Sequence, residues 1–297
     1  MYRRCKAISV AVGALAAATI AFCVAVEYPA AQGSPAAIEN PVTGRSETLD
    51  AAQLEYYNAR YDRAAALTLG PCTTDVTGVA ACELHTAALL LQMRSALGAA
   101  AGKASAWKDC LGCPALLSAF KLALARGQVL ARARLQEQPL DDETRFLLGK
   151  LDLNYVWLQL GTLGHKTGWD EYWEGRRALD QVLARQPGHV RARVARGWVD
   201  YIVDTKMPRG TRWLLGGGNK KKGLLAIREA AGVESDFFTR AEARFALWDT
   251  QIRERDASGA LATADILIRD FPENQDLRKF LETHRSVESG AAAPSSK

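Results

Sequence analysis

Between residues 48 and 288 nearly every segment places apolar side chains at i, i+3, i+4 and i+7, the spacing that gathers them on one face of a helix. No stretch combines β-branched alternation with hairpin turn dipeptides, so the pattern predicts an all-α body. Breakers and caps divide it. A helix is expected over 54–69, stopping at Pro71, and a second over 82–97. A long one over 114–136 has Pro114 as its first helical residue, and a last one over 276–284 follows the turn Phe271-Pro272-Glu273-Asn274. Asp141, Asp142 and Glu143 read as the cap and first turn of a helix, not as catalytic carboxylates.

The pattern also repeats. Gly127, Pro139 and Gly149 recur as Gly175, Pro187 and Gly197, each displaced by 48 residues, and both prolines follow a glutamine, Gln138 and Gln186. A further step reaches Gly223, although the proline position becomes Ser235 and the second glycine position Phe245. Ala260, Ala264, Leu267 and Pro272 restate the first-helix pattern once more. A small residue lets two helices approach closely, and a proline ends the first helix at a tight turn.

On these residues, Gly175, Leu179, Val182, Pro187 and Gly197 with Leu183 and Ala192 between them, the chain resembles the tetratricopeptide repeat over roughly residues 120–284. The resemblance implies an α-α superhelix of helix pairs, in which each unit touches only its neighbours and a concave face is offered to a partner. Tetratricopeptide units repeat at about 34 residues, so a 48-residue period adds about fourteen. These are expected between the two helices of a pair, as two loops near 160–171 and 205–218 that leave the same face.

The ends of the chain read differently. Arg3, Arg4 and Lys6 precede a mostly apolar run over 7–26, which predicts a signal peptide or membrane anchor. Residues 27–47 turn to Ala, Pro, Gly and Ser and read as a flexible tether, 48–288 as the repeat domain, and 289–297 as a disordered tail. By the positive-inside rule the body is periplasmic, soluble after cleavage or held on the inner membrane through the N-terminal segment. Without the three leader cations, 35 basic residues face 33 acidic ones, a balance that argues against a nucleic-acid partner. Cys72, Cys82, Cys110 and Cys113 form an even set for pairing in an oxidising compartment, with connectivity open and zinc a lesser alternative.

Two clusters stand out as candidate binding residues. Trp157, Trp169, Tyr172, Trp173, Trp198, Tyr201 and Trp213 collect around the two loops and could line a groove, or simply pack long helix pairs. Arg209, Arg212, Lys220, Lys221 and Lys222 surround a glycine-rich stretch that could cradle an anion, or form a solvated helix start; the P-loop spacing is absent. His85, His165, His189 and His284 are scattered, and no nucleophile stands in a recognisable elbow. No enzymatic activity, metal or cofactor is expected. The expected function is a non-enzymatic scaffold of the bacterial cell envelope that binds another envelope protein or peptide. The alternative is a small-molecule-binding accessory component of a periplasmic uptake system, since the architecture resembles the tetratricopeptide-like accessory subunits of tripartite ATP-independent transporters. A third reading is thiol–disulfide chemistry at Cys110 and Cys113.

Overall fold

The computed structural model describes residues 47–73, 78–98 and 104–291; the predicted leader, nearly all of the tether and the end of the tail lie outside them. Helices and turns account for the described chain, with no strand among the described residues, in line with the all-α expectation. None of these helices is long and apolar enough to cross a membrane.

The described residues begin with α1 (Glu47–Tyr57) and α2 (Tyr61–Cys72), where a single helix over 54–69 was expected. The break has a local cause: Ala59 takes a left-handed backbone (φ 59°), and the Asn58 side chain donates to Leu54 O at 3.0 Å, closing the end of α1. The next helix, α3 (Gly78–Leu97), starts four residues earlier than predicted. Fourteen of its twenty residues are buried, from Gly78 to Leu97, so it is a central helix packed on every side and not half of a surface pair. A short α4 (Ala104–Asp109) leads into α5 (Cys113–Glu137).

From α5 onward the helices follow one another in pairs: α5 with α6 (Asp142–Trp157), α7 (Trp169–Arg185) with α8 (Val190–Lys206), α9 (Lys220–Ala231) with α10 (Phe237–Glu254), and α11 (Ala257–Asp270) with α12 (Gln275–Ala291). The last helix runs three residues past the predicted boundary at 288, because no proline interrupts the chain before Pro294. One turn geometry recurs. The residues closing α5, α7 and α11 have nearly the same backbone angles: Gln138 (φ −129°, ψ 76°), Gln186 (−128°, 76°) and Phe271 (−130°, 68°). The second helix of every pair, α10 included, is capped by a side chain accepting from the N–H three residues on: Asp141 from Thr144, His189 from Ala192, Asp236 from Thr239 and Asn274 from Leu277. Since the cap uses Nδ1 of His189 as acceptor, that ring carries its proton on Nε2, 3.5 Å from Glu143 Oε2.

These tight turns join the helices within a pair, so the extra residues cannot lie there. They fall between pairs instead, at 158–168 and 207–219, which corrects the expectation from period alone. The repeating glycines meet where one pair packs on the next. A Cβ on Gly149 would lie 3.1 Å from Gly175 O, and one on Gly223 would lie 2.5 Å from Gly197 O and 3.0 Å from Tyr201 N. Backbone atoms cannot swing aside as a side chain would. Gly223→Ala is therefore expected to cost about 1–3 kcal/mol through forced separation of α8 and α9, outweighing the roughly 1 kcal/mol that alanine gains in helix propensity. Urea unfolding would measure it, and a variant as stable as the parent would mean that the crossing is looser than the geometry requires.

The first and last parts of the described residues also touch, which an open stack of neighbour-only contacts would not allow. The Tyr57 ring stacks on Phe245 and packs against Phe271, both at 5.3 Å between centroids. Tyr57 O accepts from Asn274 Nδ2 at 2.7 Å, Asn58 Oδ1 accepts from Glu273 N at 3.1 Å, and Arg60 pairs with Glu273. Beneath this closure four helices meet on one ion cluster. Lys150 Nζ of α6 lies 2.7 Å from Glu242 Oε1 of α10 and 3.7 Å from Glu83 Oε1 of α3. Arg191 of α8 reaches Glu242 Oε2 at 2.6 Å and Glu83 at 3.9 Å, with its guanidinium 4.6 Å from the Phe146 ring centroid. Tyr56 and Tyr57 lie against the cluster, and burial followed by neighbouring tyrosines and the Glu83 and Glu242 carboxylates holds both phenols well above their ordinary pKa. The surface shared by α3, α6, α8 and α10 is therefore filled by the chain itself.

Candidate functional site

The two insertions are folded, and they converge. The first continues α6 into a π-helical turn, Leu158–Leu163; the second contains a 3₁₀ helix, Arg209–Leu215. Between them lies an apolar crevice bounded by Trp157 and Leu160 on one side, Met207 and Leu215 on the other, and Trp169 and Tyr172 from the start of α7. It encloses about 20 Å³ of free space. That is room for about one water molecule, far below the roughly 300 Å³ of a small-molecule site, so a ligand there requires the walls to part.

The second insertion is held by two half-buried polar anchors. Arg176, one turn beyond Tyr172 on α7, donates to Leu215 O, to Gly216 O at 2.9 Å and to Gly217 O at 3.2 Å; the Tyr172 hydroxyl donates to Leu215 O at 2.8 Å. Burial raises the Tyr172 pKa, which keeps the phenol a donor. These carbonyls converge because Gly216 and Gly217 both adopt φ +71°, a left-handed double turn that a side chain would strain. The second anchor is Asp204 at the end of α8, which pairs with Arg212 and accepts from Lys220 N at 2.8 Å. One carboxylate thus ties both sides of the loop together.

What this frame presents is a tip. Trp213 is 72% exposed and Leu214 53%, and Trp169 beside the crevice is 46% exposed. Large apolar side chains standing in water on a rigid frame are the informative exception to ordinary burial.

The structure sorts the twelve candidate residues into three groups. Trp157, Trp169 and Tyr172 line the crevice, with Trp173 edge-on to Tyr172 at 5.4 Å. Trp198 and Tyr201 lie elsewhere, in the contact of α8 with α10: they meet edge-on at 5.6 Å, Arg253 lies 5.4 Å from the Trp198 ring centroid, and the Tyr201 hydroxyl donates to Glu254 at 2.8 Å. Burial and that carboxylate push the Tyr201 phenol up to about 12. Helical spacing could not separate these two from the crevice, because both faces of a central helix are apolar. Among the cations, Arg212 is spent on Asp204 and Lys220 on Glu254. Arg209, Lys221 and Lys222 are exposed beside Trp213 in sequence and have no partner among the described residues. Arg176, Asp204 and Glu254, which organise the loop, were not singled out by sequence. The one available signal was Asp204 itself, the last acid before 24 residues without another.

The cysteines pair as Cys72–Cys82 and Cys110–Cys113. The first ties α2 to α3 across a loop whose closure is worth about 3 kcal/mol, and the second fixes the start of α5, with Cys113 fully buried. No three His, Cys, Asp or Glu side chains come together to hold a metal ion among the described residues. Comparison of the chain with protein-family models, with curated proteins and with solved structures gives no match, so the site must be read from its own geometry.

Proposed function

We propose that this chain is a non-enzymatic docking scaffold of the bacterial cell envelope, built on tetratricopeptide-like helix pairs, whose contact element is the tip carrying Trp169, Trp213 and Leu214. The observation that carries this reading is the contrast at the second insertion. Arg176, Tyr172 and Asp204 commit several hydrogen bonds, that of Tyr172 fully buried, to fixing a loop whose most prominent side chain, Trp213, touches little of its own protein. A loop fixed in advance loses little conformational entropy on docking, and exposed tryptophan is a common anchor of such contacts. The inner surface is not the docking face in this reading, because the closure of α1 onto α10 and the turn before α12 covers it.

The small-molecule alternative draws on the apolar crevice alone, and its free space of about 20 Å³ gives it less support. The thiol–disulfide alternative has one feature in its favour, the partly exposed Cys110 against a buried Cys113. A photo-crosslinking amino acid at position 213, compared in whole cells with one at the equally exposed Leu122 on α5, tests the docking reading. An adduct with protein or lipid at 213 and none at 122 is the expected result. No adduct at 213, or the same adducts at both positions, would refute the tip as the contact element.

A further inference from the structure

We infer that the partner of the tip is an anionic membrane surface, with Trp213 and Leu214 entering the headgroup layer while Arg209, Lys221 and Lys222 rest on lipid phosphates. This rests on the docking reading above and names the chemistry of its partner. The charge distribution is the first support. Residues 205–228 contain seven Lys and Arg and no Asp or Glu, whereas the whole chain carries a net charge of +5, so everything outside this stretch is net acidic. The positive character is therefore a property of the tip, not of the protein. Arg212 and Lys220 are internally paired, which leaves Arg209, Lys221 and Lys222 as exposed cations that flank Trp213 and Leu214 in the sequence.

Geometry supplies the second support. The carboxylate of Asp204 holds Arg212 of the 3₁₀ helix and the backbone of Lys220 together, so the apolar pair and the lysines of the first turn of α9 are parts of one small unit. Two projecting apolar side chains and three cations are too few for a stable protein interface, which needs about 800 Å² from each partner. They suit a bilayer surface: tryptophan settles at the headgroup level, and each Lys or Arg near an anionic leaflet raises partitioning about fivefold. The third support is the leader. A basic start followed by an apolar run over 7–26 directs this chain to or across a membrane, and a body tethered there meets the lipid at high effective concentration, where a weak contact is enough.

The test uses the full-length chain with vesicles containing brominated lipid, either all phosphatidylcholine or with a third phosphatidylglycerol. The tip's own signal is the quenching present in the parent and missing in Trp213→Phe, which removes any contribution from the N-terminal segment and the other tryptophans. Thermal unfolding is followed alongside, and Trp213, being exposed, should leave it unchanged. We expect this difference signal with phosphatidylglycerol only, reduced at least fivefold by Lys221→Glu/Lys222→Glu or by high salt, and unaffected by reversing the remote exposed Lys121. Equal quenching on both lipids, or none on either, would overturn the inference. If position 213 nevertheless captures a protein in cells, the docking reading stands and only the lipid partner is refuted; if it captures nothing, both fall.

Discussion

Lys150→Met is expected to destabilise the protein by about 3–5 kcal/mol at neutral pH, the cost of leaving a buried carboxylate without its partner. Lys150 and Arg191 each reach both Glu242 and Glu83, and removing Lys150 leaves Arg191 alone to offset two negative charges in the interior of the molecule. Methionine fills similar volume, so packing loss is small and the electrostatic deficit dominates. Adding Glu83→Gln to this variant restores charge balance around Arg191 and should recover about half of the loss. If the double variant is as unstable as the single, the penalty comes from packing and not from charge. The same cluster sets an acid limit. Burial alone would raise the Glu242 pKa, yet Lys150 and Arg191 pull it down to about 2, from an ordinary 4.5. A depressed carboxylate stabilises above its unfolded pKa, so this contribution, about 3 kcal/mol, is complete above pH 4.5 and is lost as the pH falls toward 2.

Asp152→Asn is expected to act in the opposite direction and in a different pH window. Asp152 is fully buried in α6, where Oδ1 accepts from Gln128 Nε2 at 2.7 Å and Oδ2 has no hydrogen-bond partner. Burial, reinforced by the Glu174 carboxylate, raises its pKa from 3.8 to about 8. The folded state therefore binds a proton that the unfolded chain releases near pH 4, and stability declines as the pH rises from about 4 to 8. At pH 7 the decline amounts to at most about 4 kcal/mol. Asparagine has the shape of the protonated acid and no proton to lose. Urea unfolding at pH 4, 6 and 8 should show the parent weakening across the series and the variant nearly flat, with the variant the more stable at pH 8. Parallel declines in the two proteins would mean that another group titrates there.

Much of the architecture was legible from the amino-acid order because it depends on local rules. The apolar period, the breaks at Pro139, Pro187 and Pro272, and the helix start at Asp141 each act through neighbouring backbone, and the helix pairs follow. The 48-residue echo of the glycines also survived into contacts, since Gly149 faces Gly175 and Gly197 faces Gly223. A crossing without side chains needs glycine on both helices, and that requirement is written at fixed positions.

The candidate site was only half legible. Composition pointed to two loops rich in tryptophan and cations, but it could not tell which of those residues the fold would spend on itself. Trp198 and Tyr201 went to the contact between α8 and α10, and Arg212 and Lys220 to Asp204 and Glu254; Trp213, Leu214, Lys221 and Lys222 were left facing water. That division depends on partners 8 to 53 residues away, outside any local pattern.

By itself, then, the sequence determined that this chain is helical, where most of its helices turn, and which glycines let neighbouring pairs approach, because each of these follows from propensity and spacing over a few residues. Only the tertiary structure decided that α1 returns to the far end of the chain through Tyr57 and Asn58, that Lys150 and Arg191 share two carboxylates in the interior, and that a tryptophan stands exposed at the tip. Those outcomes arise from contacts between residues up to 217 positions apart, where burial and charge pairing, not local preference, select one arrangement.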